Sequence, residues 1–493
     1  MFQFLRKPLA RYLSASCLAA LAYTGMIGLQ LPTSVFAATA APALTPVQAL
    51  GEQIFNDKNL SEPRGTACVN CHQASTGFAN LNGSRIGVPL GSLPKSFGTR
   101  SVMPNSYSSF TPPFGFRVLN GDVDPIGGLF WDGRADTLAQ QAQMPFLAAN
   151  EMNNKDGASV VAKIAAGPYA KIMTDLYGKD IFKNPTLAFT RVGEALAAFE
   201  STTRFQSFSS RYDDYIAGRV KLTPAEDNGL KVFMDPDKGN CASCHSMNPK
   251  SVKPADNLFT DFAHYATGIP RNKAIPANAN PSYFDLGLCG PNRTRPALST
   301  NVPASVSIEK YCGTFKMPSL RNVGERQVFM HNGVFSSLRD VVSFYATRDS
   351  NPQRWYGPSG VPNDLPLAYQ PNIVRDRVPF NRAANAGPAL TDKEIDDVVA
   401  FLKTLSDRLP APVPPPTAPP PPPVKVAANP FAPPPPLVKS TVAAPPAPPR
   451  SPAPAPIAVA KPPPPPPPPP PPAKPGAAPP PPKPATAPPP PRR

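Results

Sequence analysis

Two short stretches of this sequence carry the same chemistry: Cys68-Val69-Asn70-Cys71-His72 and Cys241-Ala242-Ser243-Cys244-His245. Two thiols three positions apart can form thioethers to the two vinyl groups of one porphyrin. The adjacent imidazole then lies under the ring and binds the iron axially. The competing readings are a four-cysteine zinc site, a redox dithiol and chance. Zinc would not require a His after each pair, and a pattern that occurs twice behind an export signal favours two covalently bound c-type haems. Of the other three cysteines, Cys17 falls in the N-terminal leader described below, and Cys289 and Cys312 remain. In an oxidising compartment such a leftover pair is expected to form a structural disulfide, worth roughly 3 kcal/mol by loop entropy.

That compartment is read from the N-terminus. Arg6, Lys7 and Arg11 precede an apolar stretch from about Tyr12 to Leu31, and Val35-Phe36-Ala37 places small residues at −3 and −1. We expect a signal peptide over 1–37, cleaved after Ala37 to release the chain into the periplasm. The rival is an uncleaved membrane anchor. At the other end, 409–493 is mostly Pro and Ala and has no acidic residue. Such a composition cannot offset its ordering entropy, so a disordered tail is expected. As polyproline II it would reach about 260 Å, either as a passive linker or as a spacer whose lysines touch the cell envelope. Eight of the basic residues lie in this tail and three in the leader. The formal charge of +16 therefore falls to +5 over 38–408, and four haem propionates would nearly cancel it. The folded part is no nucleic-acid binder.

Between these ends the periodicity is helical. Thr45-Pro46 opens a helix carrying Leu50, Ile54 and Phe55, and Thr223-Pro224 opens another carrying Leu230 and Phe233, each shortly before a haem motif. A long apolar helix is expected over 185–206, with Leu187, Phe189, Val192, Leu196 and Phe199 on it. Ser337 with Asp340, and Thr391 with Glu394, are capping-box signals for helices at Leu338–Tyr345 and beyond Thr391. The fold class expected is mainly α. Two cytochrome c-like haem domains, 38–210 and 211–408, precede the tail at 409–493. Long loops at 76–128, 248–314 and 346–388 are assigned to function or haem cover.

Three further blocks extend the pattern. They are Leu129-Phe130-Trp131-Asp132-Gly133-Arg134 with Gln141, Pro145 and Glu151-Met152; Phe315 to Val323 with His331-Asn332-Gly333; and Leu338 to Tyr345. With the haem motifs, they make residues 45–408 resemble the di-haem bacterial cytochrome c peroxidases and, more closely, their MauG-like relatives. The resemblance implies an enzyme that reduces hydrogen peroxide at the His72 haem. It places the distal acid/base at Glu151, with Gln141 and Pro145 shaping the same pocket, and an electron relay between the haems at Trp131.

The chain has four histidines: His72, His245, His264 and His331. Many members of the family block the peroxidatic iron with a loop His that would fall between His72 and His245. None occurs here, so an open distal face is expected, with Met103, Met144 or Met152 as the side chains able to close it. At the second haem, His245 is the proximal ligand and the resemblance places Tyr345 opposite it, where Met317, Met330, His264 and His331 compete. Helical spacing from Leu338, Val341 and Val342 turns Tyr345 inward. The family also binds calcium through an Asn, matched by Asn105, and two carbonyls of a Thr-x-Pro segment. Arg326-Gln327-Val328 replaces that segment here, which puts one calcium ion in doubt. The expected activity oxidises a protein partner. The alternatives are a small donor cytochrome as reductant, or a non-catalytic electron carrier.

Overall fold

The structure is a computed structural model that describes residues 43–119, 121–291, 293 and 307–408. The expected signal peptide and the proline-rich tail lie outside the described residues. The first half carries α1 (Pro46–Asn56), α2 (Cys68–Cys71), α3 (Leu138–Leu147), α4 (Gly157–Ala165), α5 (Ala170–Tyr177) and α6 (Pro185–Glu200). The second carries α7 (Arg211–Ile216), α8 (Pro224–Met234), α9 (Leu338–Thr347), α10 (Pro352–Tyr356) and α11 (Asp392–Lys403). Strands are few among the described residues. β1 (Gly115–Leu119) and β2 (Asp122–Ile126) form one antiparallel pair, and β3 (His264–Tyr265) and β4 (Phe315–Lys316) form another, with His264 opposite Lys316. The fold is mainly α.

The helices begin where local chemistry dictates. Thr45, Thr223 and Thr391 each accept a bond from the third helical N–H, and the side chain at that third position (Gln48, Glu226 or Glu394) bonds back to the threonine's N–H, closing a capping box. Ser337 forms only half of the expected box. Its hydroxyl accepts from the Asp340 N–H, and the return bond is not made. The long helix also differs from expectation. α6 stops at Glu200, where Ser201 caps it, and Leu187 in its first turn is 41% exposed.

Two buried cores result. One gathers Leu50, Ile54, Phe146, Ile164, Val192 and Leu196; the other gathers Leu230, Phe233, Phe259, Phe344, Val398 and Phe401. α1 packs on α6 in the first, and α8 on α11 in the second. Both contacts are backbone-close at a glycine. A Cβ at Gly51 would lie 2.0 Å from the Ala195 carbonyl oxygen, and one at Gly229 would lie 1.9 Å from that of Asp397. Gly229→Ala is therefore expected to destabilise the protein by about 3 kcal/mol, since the helices must separate. Thermal melting of the variant beside wild type checks this, and an unchanged midpoint would contradict the packing.

The repetition extends to the loops. In Leu129–Ala135 and in Phe329–Phe335 the first residue bridges the last, and Leu129 and Phe329 each donate an N–H to the closing carbonyl, at 2.6 and 2.9 Å. Phe130 (φ 64°) and Met330 (φ 69°) both adopt the left-handed conformation that bulky side chains avoid. Thr137 then caps α3 and Ser337 caps α9, two helices of 10 residues each. Trp131 and His331 thus sit at matching apices, two hundred positions apart in sequence. Each apex is strapped by a segment from the other half: Lys316 N–H of β4 donates to the Trp131 carbonyl at 2.8 Å, and Ser101 N–H to that of His331 at 2.7 Å. Cys289 and Cys312 form the expected disulfide, with Cα atoms 5.1 Å apart. Among the described residues, no helix is long and apolar enough to cross a membrane.

Candidate functional site

Each haem motif opens onto its own cavity. The first, of about 390 Å³, is lined by Cys68, Cys71 and His72 from and beside α2, and by Gln141, Pro145, Glu151 and Met152 from α3 and the turn after it. That volume is in the range of small-molecule and cofactor sites. The second is lined by Cys241 and His245, by Leu338, Val341, Val342 and Tyr345 of α9, and by Met330 and His331. The cysteine and histidine side chains on each cavity are the donors a c-type haem requires. The His72 Nδ1 is hydrogen-bonded to the Phe78 carbonyl at 2.9 Å, and the His245 Nδ1 to that of Phe259 at 3.1 Å. A carbonyl in that position accepts the ring N–H, so Nε2 is left as the metal-binding nitrogen in each case. Cys68 and Cys71 line the first cavity and Cys241 the second, and among the described residues no four-cysteine zinc site is built.

Glu151 is half-buried on the first cavity, fixed by its own backbone. Its N–H donates to the Ala148 carbonyl at 2.9 Å, and its carbonyl accepts from Ser92 at 2.7 Å. Burial holds its carboxyl above the ordinary range, opposed by the Arg134 guanidinium. His72 is the sole histidine on this cavity. Met103, Met144 and Met152 all line it, Met152 buried and Met144 38% exposed.

Trp131 lines both cavities, together with Ser101, Val102, Pro104 and the segment Lys316 to Pro318. Its indole N–H donates to the Ser101 carbonyl at 2.9 Å, and its ring meets that of His331 edge-on at 6.5 Å. His331 in turn stacks on Phe315 at 3.5 Å and lies 3.4 Å from the Asp364 carboxylate.

On the second cavity the Tyr345 hydroxyl lies 3.9 Å from the Met330 sulfur, and its ring packs edge-on against Phe380. Of the competing side chains, His264 lines neither cavity, its Nε2 facing the Gly127 carbonyl at 3.0 Å, whereas Met317, Met330 and His331 line the second. The repeat adds a comparison that the sequence blocks did not suggest. Pro145 and Tyr345 are each the eighth residue of their helix, and each lines the cavity of its own half.

Three charged residues went unassigned in the sequence. Glu200, at the end of α6, lines the first cavity, and burial pushes its carboxyl to about 7 although Asn105 donates to it at 3.2 Å. Its Oε2 and the Asn105 Oδ1 are buried without partners. Two such oxygens suit a hard cation, but calcium needs six to eight. Among the described residues, no group of three or more His, Cys, Asp or Glu could hold a metal, and the calcium expectation gains no complete ligand set. Lys316 and Arg326 are the other two. Their neighbours belonged to recognisable blocks, but only burial shows that these cations lack counter-charges.

Comparison with known proteins shows the family. The family model described as "Di-haem cytochrome c peroxidase" matches residues 46–221. The methylamine utilization protein MauG of Paracoccus denitrificans is 34% identical over 403 residues, covering 80% of this chain and 96% of that protein. The cytochrome-c peroxidase IdrP2 of a Pseudomonas species is 25% identical over 309 residues, 60% of this chain and 72% of its own. The crystal structure of the diheme peroxidase BthA from Burkholderia thailandensis superposes with a TM-score of 0.69 at 39% identity, covering 74% of this chain and 87% of that one. With two haem-attachment motifs on two cavities joined by one tryptophan, the chain belongs to the di-haem cytochrome c peroxidase family: it is an oxidoreductase that acts on peroxide and carries two haems.

Proposed function

We propose that peroxide is reduced in the first cavity and that the second haem, reached through Trp131, supplies oxidising power toward a protein partner in the periplasm. The observation that carries this reading is the contrast between the cavities. The first presents Glu151, Gln141 and Pro145 where the second presents Val341 and Tyr345. Cys68, Cys71 and His72 would hold the first haem, which when bound would supply the electrons for cleaving the peroxide O–O bond. Glu151 takes the proton from one peroxide oxygen and returns it to the other, which departs as water. Gln141 orients the peroxide, and Pro145 keeps the helix from offering a ligand of its own. Trp131 is held by its N–H bond and its edge contact with His331, so it conducts without reorganising. Cys241, His245 and Tyr345 would hold the second haem. A hard phenolate there favours the oxidised state, which suits withdrawal of electrons from a partner over reduction by a small donor.

Resting-state EPR with a peroxide titration tests this. One high-spin and one low-spin ferric signal are expected, both responding to peroxide without prior reduction. Two low-spin signals that peroxide leaves unchanged would make the chain an electron carrier. A small donor cytochrome remains the second reading, favoured by the match to a cytochrome-c peroxidase. Tyr345→Met separates the two readings, since donor-linked turnover that rises in the variant would support the small donor.

A further inference from the structure

The second cavity is lined by two basic side chains for which the described residues supply no negative partner. Lys316 is 4% exposed and lines both cavities. No carboxylate among the described residues lies within ion-pair distance of its ammonium. The one it senses, Asp132, is already held by Arg100 at 2.8 Å and Arg134 at 3.0 Å. Arg326 lines the second cavity alone. Its Nη2 donates to the Ser319 and Arg321 carbonyls at 2.7 and 3.1 Å, and its Nε is buried without a partner. Burial pulls both groups down, Lys316 to about 7 and Arg326 to about 10. By contrast, the buried Arg100 and Arg321 have carboxylates, at 2.6 Å from Asp285 and 2.7 Å from Asp213.

An unpaired charge out of water is strongly unfavourable, so a cavity that keeps two is built for a ligand that brings the opposite sign. The group attached at Cys241 and Cys244 carries two propionates. We propose that Lys316 and Arg326 are the seats for the propionate arms of the second haem, with Lys316 also facing an arm of the first. A lysine is suited to such sharing, because its three donors radiate from one point, whereas the guanidinium fork commits to one direction. The inference rests on the two haems and not on the reaction proposed above.

The test is the midpoint potential of each haem, titrated spectroelectrochemically in the di-haem protein, with a pyridine-haem count to confirm two per chain. Removing a nearby positive charge favours the ferric state. Lys316→Met should therefore lower both midpoints, Arg326→Met the second alone, and the double variant should shift the second furthest. Lys316→Arg and Arg326→Lys should stay with wild type. Midpoints unmoved in the double variant, or shifted equally in the charge-preserving variants, would overturn the assignment, as would an Arg326→Met shift confined to the first haem. Should the Met variants not mature, Lys316→Gln and Arg326→Gln replace them. Maturation that tracks charge, with Arg and Lys accepted and Gln rejected, supports the seats; rejection of Arg and Lys as well counts against them. None of these readouts depends on peroxide turnover, so failure here leaves the proposed reaction standing, and failure of that reaction leaves this standing.

Discussion

Glu151→Gln is expected to lower peroxide turnover by roughly 10²–10⁴-fold, the usual worth of a positioned acid/base, while the resting spectra of both haems stay as in wild type. The amide keeps the size and the backbone anchors at Ala148 and Ser92, but it cannot carry a proton between oxygens. In wild type the sign of the pH dependence follows from the direction of the shift. Burial holds the carboxyl above its ordinary range, and the group must start ionised to accept the first proton. Below its raised pKa it is protonated, so kcat/KM should fall as pH drops through a limb lying above the usual carboxylate region. The variant should lose that limb. A variant with wild-type turnover, or one that keeps the limb, removes Glu151 from the chemistry.

Pro145→Met is expected to convert the first haem from high-spin to low-spin and to suppress peroxide reactivity in proportion to the iron converted. Pro145 and Tyr345 occupy the same step of equivalent helices, each facing its own cavity. Proline offers no donor atom there, and a thioether is a common axial ligand. Removing a proline from the interior of a helix also relieves a local cost, so folding should not suffer. EPR of the resting protein reads the result directly. A persistent high-spin signal would mean that the two helices are not equivalent with respect to their haems.

Much of this was legible in the sequence because it is local. Cys-x-x-Cys-His needs only one turn of chain, and Thr-Pro openings cap helices whatever surrounds them. The overextended helix shows the limit: hydrophobic spacing over 185–206 says nothing about where the chain must turn, and Ser201 ends it after Glu200. Glu151 and Trp131 could be placed only through neighbouring blocks, since an isolated Glu or Trp has no signature. Lys316, Arg326 and Glu200 were out of reach for a different reason. An unpaired charge is defined by what fails to surround it, and that is a property of the packed state. The equivalence of Pro145 and Tyr345, by contrast, was present in the spacing of Leu129–Leu147 against Phe329–Thr347 and could have been found by comparing the chain with itself.

The crossed straps have a consequence for how the protein wears out. Because Ser101 braces the His331 apex and Lys316 braces that of Trp131, neither half can loosen without disturbing the span proposed above to carry electrons. Heating should therefore show no stage at which one centre still works while its twin has gone. Loss of communication between the irons and loss of either iron's own spectrum should arrive at the same temperature.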